Sequence, residues 1–130
     1  MDKTRVFISH SHSDEGWVRQ FASSLEQHGV DVWLDYHSLQ WGESITEAVE
    51  KGLRESSVIV LLVTPDSIKS PNLFFEIGAA MGMRKPLIPV VSRELDPSML
   101  PASLRERNYL VKGTPETTAQ ELVSQTVRLQ

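Results

Sequence analysis

From Ser57 to Val63 the chain reads Ser-Val-Ile-Val-Leu-Leu-Val, an almost unbroken run of β-branched residues and leucine. A strand with one wet face alternates apolar and polar residues. A continuous run of this length is buried on both faces, as at the centre of a parallel sheet. Parallel neighbours cannot be joined by a tight hairpin and need a crossover, usually a helix. Strands and helices should therefore alternate along the rest of the chain.

They do. Val6-Phe7-Ile8 is a short apolar strand stopped by the polar cluster Ser9-His10-Ser11-His12-Ser13. Ser13 or Asp14 can cap the helix that follows, in which Trp17, Phe21 and Leu25 recur every fourth residue beside Val18, and Gly29 ends it. Val30, Val32 and Leu34 alternate with Asp31, Trp33 and Asp35 as a second strand, and apolar Trp33 implies cover on its other face as well. A loop from Tyr36 to Glu43 leads to a helix with Ile45, Ala48, Val49 and Leu53 at helical spacing. After the central strand, Ser70-Pro71 pairs a capping hydroxyl with proline at the first helical position, opening a helix to about Met83. Pro86 to Val91 is a fourth strand, shortened if its prolines interrupt it. Ser92 to Pro101 is irregular, Asn108 to Val111 a short edge strand, and Thr114 to Leu129 a last helix with Leu122, Val123 and Val127 inward. The order implies an α/β fold, a doubly wound parallel sheet of four to five strands flanked by helices. Ligands of such sheets bind beyond the carboxyl ends of the strands. That end gathers Ser9 to Ser13, Asp35 to Glu43 and Thr64 to Glu76.

At 130 residues the chain holds one domain, read as residues 1–130. A net charge of −4 argues against a nucleic-acid-binding surface, and no dense basic block suggests a membrane surface. Cysteine is absent, which fits a reducing compartment; the expectation is a soluble cytoplasmic protein. The longest apolar run, Val58 to Val63, is far short of the roughly 20 residues that span a bilayer.

Several chemistries of α/β folds find no support. The first strand is not followed by G-x-G-x-x-G, no Walker lysine motif is present, and no G-x-S-x-G elbow occurs. A phospho-receiver needs acidic Mg²⁺ ligands after strand one, where this chain has Ser9-His10-Ser11-His12. His10 and His12 lack a marked third ligand and read as a polar loop, so no metal site is expected. In the helix opened by Ser70-Pro71, Leu73, Phe74, Ile77, Ala80 and Met81 form an apolar face, and Glu76 falls at its rim. Gly78, Ala79 and Gly82 leave the other side small, open to a close approach. A half-desolvated rim carboxylate aimed at the strand ends is a candidate for function. From these residues alone, a plain surface glutamate is the slightly favoured reading.

Phe7-Ile8-Ser9-His10-Ser11, Val32-Trp33-Leu34-Asp35, Leu39-Gln40-Trp41-Gly42-Glu43-Ser44 and Val60-Leu61-Leu62-Val63-Thr64-Pro65 stand in order from about Arg5 to Val91. Taken together they resemble the successive boxes of a TIR (Toll/interleukin-1 receptor) domain of bacterial type. The resemblance implies a flavodoxin-like fold and, in many members, cleavage of NAD⁺ at the nicotinamide–ribose bond, with NAD⁺ as substrate and no cofactor. It assigns the family's catalytic glutamate to Glu76. It places Ser9, His10 and Ser11, with Asp35, Leu39, Trp41, Gly42 and Ser44, at the border of the nucleotide. Trp41 is either a stacking surface for a ring or an anchor for its loop.

Asn72 stands where many NAD-cleaving members have tryptophan, four residues before the glutamate, which leaves the product open between ADP-ribose and a cyclic form. The run Ser70 to Gly78 also resembles nucleoside deoxyribosyltransferases, which break an N-glycosidic bond with a glutamate. The family implies homotypic assembly with other TIR domains, with the Tyr36–Glu43 loop of a neighbour completing the site. A role as an antiphage-defence or virulence effector follows from the same likeness. So do two alternatives, a non-catalytic TIR–TIR adaptor and a nucleoside-processing N-glycosylase. The domain either stands alone or belongs to a longer multidomain protein.

Overall fold

The computed structural model describes residues 4–34, 45–69, 71–100, 102–105 and 109–129. Its strands are β1 (Arg5–Ser9), β2 (Asp31–Leu34), β3 (Val58–Val63), β4 (Leu87–Val91) and β5 (Leu110–Val111). Its helices are α1 (Glu15–Gln27), α2 (Ile45–Glu55), α3 (Pro71–Gly82), α4 (Ala102–Arg105) and α5 (Pro115–Leu129). The strands form one sheet in the order β2-β1-β3-β4-β5, every neighbouring pair parallel. β3 is central and buried along its whole length, as its unbroken apolar run demands. This is the doubly wound α/β, flavodoxin-like architecture.

Strand alternation sorts the core into two layers. Val6, Ile8, Val58, Val60, Leu62 and Val90 pack against Val18, Phe21 and Leu25 of α1 and Ala119 and Leu122 of α5. Phe7, Ile59, Leu61, Val63 and Val91 point the other way, toward Leu53 of α2, Ile77 and Ala80 of α3, and Leu104 of α4. On β2, Val32 and Leu34 join the first layer and Trp33 the second, so both faces of this edge strand are covered as expected. Trp33 lies so close to α2 that a Cβ on Gly52 would stand 2.4 Å from its Nε1, a space only glycine leaves.

The proline in β4 does not shorten the strand. Ile59 N–H donates to the Pro86 carbonyl and Ser92 N–H to the Val63 carbonyl, so the even-numbered residues of β4 bond toward β3. Lys112 N–H donates to the Val91 carbonyl, so the odd-numbered ones face β5. Pro89, lacking a donor, therefore faces β5, whose pairing begins only at Leu110 opposite Val90.

α1 and α3 end in the same way. In α1, Val30 N–H donates to the Leu25 carbonyl and Gly29 N–H to that of Glu26, with Gly29 at φ 82°. In α3, Lys85 N–H donates to Ala80 and Arg84 N–H to Met81, but the left-handed residue is Arg84, at φ 56°. Both are Schellman ends. The region after β4 contains a 3₁₀ turn at Pro97–Met99, and α4 is a short helix that the sequence pattern does not announce. Among the described residues, no helix is long and apolar enough to cross a membrane.

Candidate active site

The chain passes from β1 to β2 on one side and then returns to β3 on the other. The gap between the carboxyl ends of β1 and β3 is therefore the switch point, where a doubly wound sheet opens a crevice. Ser9, the last residue of β1, is buried and pairs in register with Leu61. Its alternation puts it on the α2/α3 side, with Phe7. His10 and Ser11 follow, both half-buried.

Asp14 joins the two strand ends. Its Oδ2 accepts from the Ser11 hydroxyl at 2.7 Å and from the Thr64 hydroxyl, just past β3, at 2.8 Å. Thr64 N–H donates to Ser67 Oγ at 2.8 Å, and the Ser67 hydroxyl donates to the Leu62 carbonyl at 2.7 Å, fixing the turn that leads to α3. Beside this, the Ser13 hydroxyl donates to Asp66 at 2.7 Å. Asp14, one of the two residues expected to cap α1, instead closes a 3₁₀ turn (His12–Asp14) that runs into the helix, and its side chain makes no cap bond. The sequence pattern does not show the Asp14–Thr64 and Ser13–Asp66 pairings, because they join loops about 50 positions apart; only the abundance of short hydroxyl and carboxylate residues at both strand ends hints at them.

Glu76 requires a correction. The sequence pattern puts it at the rim of α3, half in solvent, with Met81 inside. In the structure Glu76 is 0% exposed and Met81 is 48% exposed. At about 100° per residue, Glu76 lies about 40° from Ala80, while Met81 lies about 100° beyond Ala80 the other way. The buried arc is thus centred on Ala80 and includes Glu76 and Ile77. Gly78 and Gly82 face outward, with no described atom within 4 Å of an added Cβ. A carboxylate in the second turn of α3, buried on the side of the sheet where β1 ends in Ser9, is costly to desolvate, and such burial is common where a side chain has chemistry to perform.

Asp35, Leu39, Trp41, Gly42 and Ser44 lie outside the described residues. Asn72 is in the first turn of α3, one turn before Glu76 on the same helix. A polar groove of about 440 Å³ lined by Arg5, Glu26, Asp31 and Trp33 opens at the amino ends of β1 and β2, opposite the crevice. Arg5 there is already engaged by Asp31 at 4.0 Å and Glu55 at 3.5 Å.

A family model described as the TIR domain matches residues 6–123. The chain belongs to the TIR domain family. This TIR domain is 28% identical to the 2′ cyclic ADP-D-ribose synthase AbTIR of Acinetobacter baumannii, over 92% of the chain and 46% of that protein. It is 39% identical to the NAD(+) hydrolase TcpA of a Theionarchaea archaeon over 43% of the chain and 18% of that protein. The chain thus spans less than half the length of these curated relatives. In structure it resembles the TIR domain of the Toll-related receptor TRR-2 from Hydra magnipapillata. That likeness has a TM-score of 0.74 at 17% identity, covering 94% of this TIR domain and 93% of the other, and it is one of fold.

Proposed function

We propose that this TIR domain cleaves the bond between nicotinamide and ribose in NAD⁺, with Glu76 as its catalytic carboxylate. The observation that carries the reading is the burial of Glu76 on the sheet-facing arc of α3. The named activities of the two curated relatives support the same substrate. Ser9, His10 and Ser11 would border the substrate from the β1 side, and Asn72 from α3. Asp35, Leu39, Trp41, Gly42 and Ser44 are assigned to the same border on the family resemblance.

A single carboxylate is chemically sufficient. Nicotinamide in NAD⁺ is a cationic pyridinium; when the C1′–N bond breaks, the bonding pair leaves with the ring, which departs neutral and needs no general acid. Positive charge then develops on the ribose, as in the oxocarbenium-like transition state of glycosidases. An anionic Glu76 would stabilise that charge and orient ribose hydroxyls. Attack by water at C1′, with loss of one proton, gives ADP-ribose; attack by a hydroxyl of the same molecule gives a cyclic form. No metal or second acid is required by this route. The same reading includes homotypic assembly with other TIR domains, a cytoplasmic site of action, and an effector role in antiphage defence or virulence.

The test is incubation with NAD⁺ at rising protein concentration, with products separated by chromatography, beside Glu76→Gln. Nicotinamide should appear with ADP-ribose or a cyclic isomer, at a rate rising faster than linearly with protein. Turnover undiminished in Glu76→Gln would remove Glu76 from the chemistry. Complete inactivity in every assembled state would favour an adaptor, and cleavage of free nucleosides but not NAD⁺ a nucleoside glycosylase.

A further inference from the structure

We infer that Asp14 is a positioning residue for this site, tying the loop after β1 to the β3–α3 connection and presenting the Ser11 hydroxyl to substrate as a hydrogen-bond acceptor. The inference rests on the NAD⁺-cleaving reading. Its starting point is the direction of one carboxylate. Asp14 closes a 3₁₀ turn, His12–Asp14, that runs straight into α1, with φ −96° and ψ 5° and no side-chain bond to the N–H groups of the first turn.

Its carboxylate turns instead to the switch-point crevice, where one oxygen takes the hydroxyls of Ser11 and Thr64. A carboxylate has no proton to offer, so both hydroxyls must be the donors. Bonds to an ionised acceptor are also the stronger ones. Ser11 Oγ lies 3.0 Å from Ser13 Oγ, but the Ser13 proton is drawn to Asp66 by the shorter bond at 2.7 Å. The half-buried Ser11 oxygen therefore keeps only lone pairs for a ligand. Ribose hydroxyls and a carboxamide N–H₂ can donate to it, whereas ionised phosphate oxygens cannot. This end of the crevice is matched to a riboside part of NAD⁺, with its hydroxyl and N–H₂ donors, rather than to its pyrophosphate.

Thr64 carries the same restraint to the other wall. Its hydroxyl accepts from Ser67 N–H at 3.2 Å, and Ser67 belongs to the turn that precedes α3 and hence Glu76. Asp14 thus sets the separation of two substrate-bordering segments without being placed in contact with substrate itself.

The experiment measures KM and kcat for NAD⁺ in Asp14→Ala, Asp14→Asn and Ser11→Ala, with the Kd for NAD⁺ of Glu76→Gln and of Glu76→Gln/Asp14→Ala as a binding counterpart. Asp14→Ala should raise KM and Kd about tenfold with kcat changed less than about threefold, the pattern of lost binding. Asp14→Asn keeps an acceptor oxygen and should recover most of the loss; Ser11→Ala should behave like Asp14→Ala. A purely structural role would lower the folded fraction, and with it kcat, at constant KM. Should Asp14→Ala fail to fold, Ser11→Ala still decides. Unchanged KM in Ser11→Ala or in folded Asp14→Ala, in an enzyme that turns over NAD⁺, overturns this inference alone. Wild-type protein that neither cleaves nor binds NAD⁺ overturns the functional reading, and the inference with it.

Discussion

Between the sheet and the α1/α5 pair, the packed layer is hydrocarbon from Val6 and Ile8 through Phe21 and Leu25 to Leu122. A buried hydroxyl there, Thr118, accepts the Gly113 N–H in the turn that opens α5. On the opposite side the same strands present Phe7, Ile59, Leu61 and Val63, yet α3 adds Glu76 and β1 ends in Ser9. Among the described residues the first layer is hydrocarbon apart from hydroxyls such as Thr118, while the other accepts a carboxylate in its core. Both faces hold an apolar core, but only the second adds a buried carboxylate, so under the proposed function changes on the two faces should separate in experiment.

The largest effect is expected on the hydrocarbon side. Phe21 is 0% exposed and stacks on Trp17 at 4.9 Å between ring centroids. Phe21→Ala should cost about 3–5 kcal/mol of stability by urea denaturation, with KM for NAD⁺ unchanged in the molecules that stay folded. A raised KM would break the division. On the other side, Glu76→Gln should lower kcat by about 10²–10³-fold, equivalent to about 3–4 kcal/mol, without loss of thermal stability. A large drop in melting temperature would instead make Glu76 part of the scaffold.

Smaller effects sharpen the picture. Gly52→Ala forces the Trp33 ring away from α2 and should cost about 1–3 kcal/mol, although alanine is otherwise the better helix former. Wild-type stability would mean that the indole has room to shift. Arg84→Gly should stabilise by about 0.5–1 kcal/mol in the same denaturation assay, because glycine adopts φ 56° without the strain a side chain brings. A loss of stability would reveal an unseen role for the guanidinium.

Much of this was legible before any coordinates. The two layers follow from strand alternation, β3 from its unbroken run, and the end of α1 from Gly29. The rotation of α3 was not. Nearly every residue from Leu73 to Met83 is apolar or glycine, so the pattern defines no sharp face and left Glu76 and Met81 misassigned by part of a turn. Glu76 could still be singled out as the one acid of that helix, but its depth depends on packing. The Ser11–Asp14–Thr64 bridge was illegible for another reason, since alternation reports which way a residue points and not which distant loop it meets.

The closure of α1 by α5 also bears on how the chain is made. Trp17 Nε1 donates to the Gly113 carbonyl at 3.0 Å across 96 positions of sequence, and Leu122 completes the layer beneath. Contacts this remote form late, after the entropy of closing a long loop has been overcome. During synthesis the segment from α2 through α3 leaves the ribosome whole, whereas the α1 layer, already seated on the sheet, gains its second cover only when α5 follows. The α1/α5 face is thus the last to close, and until then its apolar residues are exposed to aggregation.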